Sequence, residues 1–189
     1  MLATIKMQSR LSAIISQNTR INNLATILFG SLLLGFAAQI TIPLTPVPIT
    51  LQTFAALFIG MIFGPRMGWK IIAAYLIEGV CGLPVFANFS FGPHVLLGPT
   101  GGYLLGFIPA AIVTGYLLQN GWAKHRLTIF LAALLGMLAL FIPGYLVLAS
   151  FVGFHNAYLF GVAPFYLADG CKVILLTATV PYFWKPLTK

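Results

Sequence analysis

Two residues of opposite charge lie three positions apart in an apolar stretch near the end of the sequence. On a helix, Asp169 and Lys172 share a face. A charged side chain at the centre of a membrane helix costs about 2.5–3.5 kcal/mol on insertion scales, so such residues indicate function. The pair supplies a hydrogen-bond acceptor and several donors, which predicts ligand binding. The alternative is an ion pair that only neutralises its own charges.

The sequence contains few other residues or motifs that could bind a metal or catalyse a reaction. Glu78, the third charged residue within the apolar stretches, is interpreted as a boundary residue in contact with water, with a ligand contact as the alternative. The chain has two acidic residues and scattered histidines, so we expect no metal site. It has neither a G-x-x-x-x-G-K-[ST] nor a G-x-S-x-G segment, which excludes P-loop ATP binding and serine hydrolysis of that type. We therefore expect neither enzyme activity nor a cofactor.

Two segments rich in proline and glycine connect the apolar stretches. Residues 42–53 contain three prolines, which favour a rigid, extended course, and include Gln52 near their end. Residues 82–103 combine glycines with aromatic and amide side chains. We expect both segments to cover a small ligand, although a plain connector and an interfacial aromatic belt are the alternatives. The candidate contacts in the second segment are Phe86, Asn88, Thr100, Gly101 and Tyr103.

The composition places these residues in a membrane protein. Of 189 residues, 60% are hydrophobic and 6% are charged, with a mean hydropathy of +1.00. A soluble domain is about 25% charged and could not bury so much apolar surface. Apolar runs separated by Pro, Gly or charged residues predict six spans. They cover residues 24–42, 50–64, 69–82, 100–118, 127–150 and 164–183.

The basic residues alternate between the predicted connections. The net charge is +8. Clusters of Lys and Arg lie before the first span, between the second and third, between the fourth and fifth, and after the sixth. The positive-inside rule then places both termini in the cytoplasm, and nucleic-acid binding is not expected. Residues 1–23 form an amphipathic lead-in, interpreted either as a short interfacial helix or as a partly disordered segment. Residues 24–189 form one six-helix transmembrane domain.

Four features together resemble the BioY family, the biotin-specific substrate-binding (S) components of energy-coupling factor (ECF) transporters. The resemblance covers nearly the whole chain after residue 23. The Gly-Pro-Thr-Gly-Gly-Tyr run is the most specific of them. The features are the runs 46–53, 82–87 and 98–107, and the pair Asp169 and Lys172.

The resemblance implies an all-α bundle of six membrane helices in the bacterial cytoplasmic membrane, with a biotin pocket near the outer face. It also implies a transmembrane coupling (T) subunit and two cytoplasmic ATPase subunits as partners. Two other functions stay open. They are an S component for a different vitamin, and a stand-alone ion-coupled carrier of small solutes in which Asp169 relays protons.

The resemblance also suggests how biotin is held. Asp169 would accept a hydrogen bond from a ureido N–H, and Lys172 would donate to the ureido oxygen or to the carboxylate. Asn88 would complete ureido recognition. Aromatic side chains, among them Phe86 and Phe165 or Tyr166, would cover the sulfur ring. The proline segment with Gln52 would close above the ligand.

Overall fold

A bundle of helices is present in the computed structural model, which describes residues 22–184. The predicted lead-in, 1–23, lies outside the described residues except for its last two, which begin the first helix. Two short 3-10 turns, Ala87–Phe89 and Trp122–Lys124, lie in the connections. The α-helices are α1 Asn22–Gln39, α2 Gln52–Val80, α3 Pro93–Leu96, α4 Gly101–Gln119, α5 Arg126–Val152, α6 Phe154–Gly161 and α7 Phe165–Phe183.

Several of these helices have the length and hydropathy of membrane spans. Among residues 22–184, α1, α2, α4 and α5 each meet both criteria. A fifth candidate is the pair α6 and α7, which is bent by 49°. Pro164 precedes α7 as its N-cap residue, where its missing N–H removes no helical hydrogen bond. The protein is therefore a multi-pass membrane protein.

Helix α2 reverses direction at Gly64, whose backbone angles are φ 77° and ψ 172°. The Gln52 side-chain amide donates to the Tyr75 hydroxyl over 2.6 Å. In a straight helix, residues so far apart in sequence would be separated by roughly 35 Å. The helix therefore consists of two antiparallel arms, residues 52–63 and 65–80, which correspond to the predicted spans 50–64 and 69–82. The predicted break at 64–66 is this bend.

The arms of α2 pack against α4, which also packs along α5. Small residues bring these backbones close together. A Cβ built on Gly60 would lie 2.5 Å from both the Cα and the carbonyl oxygen of Ala111. One built on Gly115 would lie 2.6 Å from the Gly60 carbonyl oxygen. The α2–α4 packing thus requires glycine at these positions.

The structure differs from the prediction in two places. Residues Thr41–Ile42 (β1) and Ile49–Thr50 (β2) form an antiparallel pair, in which Thr41 pairs with Thr50. The proline segment folds back so that β2 lies beside β1. Backbone N–H and carbonyl groups that would otherwise lack partners then form hydrogen bonds between the two strands. Helix α6 occupies the region 151–164, which was predicted as a break. Gly161 and Pro164 disfavour an unbroken helix, but the eight residues Phe154–Gly161 form a helix that packs on α5.

Candidate ligand-binding site

A cavity of about 250 Å³ lies at one end of the bundle. Its walls come from the β ribbon (residues 41–50), the start of α2, the second connection (residues 81–100) and the adjoining parts of α4, α5 and α7. This is the end of the bundle at which Gln52 and Tyr75 of the two α2 arms meet. Six of the predicted site residues line it: Gln52, Phe86, Asn88, Thr100, Tyr103 and Phe165.

The pair Asp169 and Lys172 lies directly behind this wall. The Lys172 ammonium donates to Asp169 Oδ1 at 2.5 Å, to the Thr50 carbonyl oxygen at 2.7 Å and to Thr53 Oγ1 at 2.8 Å. Both threonines line the cavity, whereas Asp169 and Lys172 do not. Asp169 also borders a separate apolar groove between α5 and α7. Thr50 and Thr53 thus separate the pair from the cavity.

The two carboxylate oxygens of Asp169 differ in their hydrogen bonding. Oδ1 accepts from Lys172 and, over a longer 3.3 Å, from Thr53. Oδ2 is buried and has no hydrogen-bond partner among the described residues. A buried carboxylate oxygen without a donor is unfavourable. Asp169 therefore retains the capacity to accept one further hydrogen bond.

Gly101 does not line the cavity. A Cβ built there would lie 1.8 Å from the carbonyl oxygen of Leu96, the last residue of α3. The missing side chain therefore allows α3 to pack against the first turn of α4. Gly101 shapes the wall that carries Val95 and Thr100 and does not present its own backbone to the cavity.

Aromatic rings form one side of the cavity. Tyr103 and Phe165 stack with centroids 6.4 Å apart, and Phe141 contacts both rings edge-on at 5.8 and 5.7 Å. The Tyr103 hydroxyl donates to the Gly161 carbonyl oxygen at 2.8 Å, which ties α4 to the end of α6. Tyr166, the alternative to Phe165 in the sequence prediction, is exposed and does not line this cavity.

A buried hydrogen-bond chain joins the β ribbon to the second connection. Thr50 Oγ1 donates to Gln52 Oε1 at 3.0 Å, and Gln52 Nε2 donates to the Tyr75 hydroxyl. That hydroxyl donates in turn to the Val85 carbonyl oxygen at 3.1 Å. The Tyr75 ring is fully buried and meets Phe86 edge-on at 5.4 Å. Tyr75 therefore links the β ribbon to the second connection, although its own side chain does not line the cavity.

Gln39, at the end of α1, anchors the second connection from the other side. Its Nε2 donates to the Phe86 carbonyl oxygen at 3.1 Å, and its Oε1 accepts from the Phe89 backbone N–H at 3.0 Å. The chain between these contacts includes Asn88 and Phe89, which both have φ of 56°. Left-handed backbone is uncommon for such residues and needs fixed surroundings. The two Gln39 hydrogen bonds fix this part of the backbone and so hold Phe86 and Asn88 at the cavity.

Glu78 lies away from the cavity. Its Oε1 accepts a hydrogen bond from the buried Ser31 hydroxyl of α1 at 2.7 Å. The side chain is half-buried and does not line the site. Glu78 therefore joins α1 to the second arm of α2, a role that neither interpretation from the sequence included.

Sequence reasoning missed several residues of the site. Thr50 and Thr53 belong to a run that was singled out, but nothing marked them as contacts of Lys172. Phe141 lies in the uniformly apolar α5, where no pattern separates cavity-facing from lipid-facing rings. Tyr75 and Gln39 act over long sequence separations that no local spacing reveals.

The comparison with known families agrees with this geometry, since the sequence model of the BioY family matches residues 7–189. This chain belongs to the BioY family. A probable biotin transporter of Pyrococcus horikoshii is 42% identical over 140 residues, covering 74% of this chain and 82% of that protein. A biotin transporter of Thermotoga maritima is 39% identical over 145 residues, covering 76% and 84%.

The fold is similar to a solved structure. The crystal structure of the S component for biotin from an ECF-type ABC transporter superposes with a TM-score of 0.79 and 24% sequence identity. The match covers 87% of this chain and 92% of that one. The helical bundle of this BioY family member is therefore that of an S component.

Proposed function

We propose that this chain captures biotin in the membrane as the S component of an ECF-type uptake transporter. The observation that carries the proposal is the buried Asp169–Lys172 pair, which lies directly behind two threonines, Thr50 and Thr53, that line the cavity. The names of the BioY relatives support biotin as the ligand. ATP hydrolysis takes place on two partner ATPase subunits, and a transmembrane T subunit couples them to this chain.

The residues around the cavity match the chemistry of biotin. Its ureido group has two N–H donors and one carbonyl, and it enters the cavity first, towards Thr53. A ureido N–H donates to Asp169 in place of the long Thr53 contact, and Lys172 donates to the ureido oxygen. Such charge-assisted bonds are strong in a dry site. Asn88 supports the ureido group, and the rings of Phe86, Tyr103 and Phe165 cover the sulfur ring.

The proposed topology has six membrane segments with both termini in the cytoplasm. The two arms of α2 count as separate segments because the helix folds back at Gly64. Arg66 and Lys70 then lie just after the bend, Lys124 lies between α4 and α5, and Arg126 begins α5. These basic residues are at the end of the bundle remote from the cavity. Under the positive-inside rule the cavity opens to the outside.

Titration calorimetry of the detergent-purified chain tests this function. We expect tight one-to-one binding of biotin and none of riboflavin or thiamine. Failure of a folded sample to bind biotin would reject the proposal, and binding of another vitamin would favour the S component for that vitamin. Uptake by vesicles that contain this chain alone, driven by a proton gradient, would instead indicate a stand-alone carrier.

Replacing Tyr75 with phenylalanine is expected to weaken biotin binding about tenfold. The change keeps the ring against Phe86 but leaves the Gln52 amide without its partner, at about 1–3 kcal/mol, and leaves the Val85 carbonyl oxygen only its long contact with Gln39. Both groups belong to segments that cover the cavity. Tyr145→Phe is the matched control, because its hydroxyl contacts only the exposed Phe154 carbonyl oxygen. Equal affinities of the two variants in calorimetry would contradict the positioning role of Tyr75.

A further inference from the structure

The end of the bundle remote from the cavity carries an exposed basic surface. Two of its cations follow the bend of α2, and two lie at the turn between α4 and α5. They are Arg66, Lys70, Lys124 and Arg126, and all four are exposed. The bend and the turn adjoin each other, because a Cβ built on Gly64 would overlap the side-chain amide of Gln119 at the end of α4.

The chain supplies no nearby acidic side chain to neutralise this basic surface. It has two acidic side chains in all. Glu78 lies near the cavity end of the second α2 arm and Asp169 near the cavity end of α7, each roughly 20 Å along its helix from the basic end. Charges so far apart are screened at physiological salt, where the Debye length is about 8 Å. Arg66 and Lys70 are also an i,i+4 pair of like charge, so they repel each other and favour an external anion.

All three tryptophans of the chain lie at this same end. Trp69 lies between Arg66 and Lys70 in sequence and is 42% exposed. Trp122 begins the α4–α5 turn and Trp184 follows α7, and both are half-buried against the core. Indole rings concentrate at the depth of the lipid headgroups. The basic surface therefore lies at the level of the lipid phosphates.

The α4–α5 turn is held in a fixed shape before any ligand binds. Gly121 has a φ of 97°, in the left-handed region that suits glycine. The Thr128 hydroxyl lies within hydrogen-bonding distance of the carbonyl oxygens of Trp122 and His125. These contacts fix the backbone on both sides of Lys124. A ligand bound there has little ordering of the backbone to offset.

We infer that the basic surface binds the headgroup of an anionic phospholipid, with its phosphate between the α2 bend and the α4–α5 turn. A lipid fits this surface better than an acidic partner protein, because exposed apolar residues adjoin the cations and can contact acyl chains. Leu127, which follows Arg126, is 68% exposed. Under the proposed topology the lipid belongs to the cytoplasmic leaflet. The inference does not depend on which ligand the cavity captures.

Quenching of tryptophan fluorescence tests this inference on the purified chain in nanodiscs. The probes are phosphatidylglycerol and phosphatidylcholine, each brominated near the headgroup and each diluted into unlabelled phosphatidylcholine. Because a basic residue near an anionic surface strengthens binding about fivefold, phosphatidylglycerol should quench with at least about tenfold higher apparent affinity. Raising the salt to about 1 M, where the Debye length is about 3 Å, should reduce that preference.

Two double variants separate charge from packing. Arg66→Gln with Lys70→Gln should lower the preference for phosphatidylglycerol at least about fivefold. Arg66→Lys with Lys70→Arg keeps both charges and should keep the preference of the parent. A thermal midpoint close to that of the parent shows that each variant is folded. An unchanged preference in the glutamine variant would overturn the placement of the headgroup at the α2 bend.

Two further outcomes would overturn the inference. Equal quenching of the parent chain by the two brominated lipids would leave an acidic surface of a partner protein as the occupant. Displacement of phosphatidylglycerol by inorganic phosphate, but not by sodium chloride of the same ionic strength, would assign the surface to free phosphate. Neither result would affect the proposed capture of biotin.

Discussion

Lys172→Ala is expected to weaken biotin binding at least about 30-fold and to destabilise the bundle. The substitution leaves the Asp169 carboxylate buried without its cation, and breaking a buried pair in this way costs about 3–5 kcal/mol. It also removes the donor to the Thr50 carbonyl oxygen and to Thr53. Losing a buried charged partner of a ligand costs about 2–5 kcal/mol, which corresponds to a loss in affinity of at least 30-fold. Calorimetry and thermal unfolding in detergent measure the two effects.

A double variant separates binding from folding. Asp169→Asn combined with Lys172→Met removes both charges while keeping the approximate side-chain volumes. Replacement of a whole buried ion pair by neutral groups is often neutral or stabilising, so the thermal midpoint should return close to that of the parent. Biotin affinity should stay at least about 30-fold below that of the parent, because neither charged partner of the ureido group is present.

The two explanations of the pair predict different outcomes for this double variant. A pair that only neutralises itself has no contact with the ligand, so its joint removal would leave affinity unchanged. Parent-like biotin affinity of the folded double variant would therefore establish the structural alternative. It would also remove the observation on which the proposed function depends.

The bundle was largely predictable because apolar length and proline or glycine breaks are local signals. The spans 100–118 and 127–150 differ from α4 and α5 by at most two residues at either end. Helix α6 was not predictable in this way, since Gly161 and Pro164 mark a break in the helical pattern. The β ribbon likewise depends on pairing between Thr41 and Thr50 across the proline turn.

The cavity was only partly predictable. Phe86, Asn88 and Thr100 stood out because aromatic and amide groups are unusual in a glycine-rich membrane connection. Tyr75 looks like any aromatic residue in a span, and its role follows from the reversal of α2, which brings it to Gln52. Residues that act by positioning others leave no local pattern, because their partners are set by tertiary packing.

Gly115→Ala is expected to lower the thermal midpoint and the fraction of chain able to bind biotin. The added methyl group would lie 2.6 Å from the Gly60 carbonyl oxygen and from the Pro65 nitrogen. Both are backbone atoms at or near the α2 bend, so they cannot move aside as a flexible side chain does. Overpacking of this kind costs about 1–3 kcal/mol. Thermal unfolding measures the midpoint, and the stoichiometry of a biotin titration measures the fraction of chain able to bind.

Gly170→Ala is the matched control for this substitution. Gly170 is also within a helix, but a Cβ built there meets no atom within 4 Å. Alanine should therefore stabilise α7 by up to about 1 kcal/mol through its helix propensity and leave biotin binding unchanged. If Gly115→Ala behaved in the same way, the close α2–α4 packing would not be needed for the fold. The cavity requires that packing, because the bend at Gly64 brings Gln52, which lines the cavity, against Tyr75, which lies behind its wall.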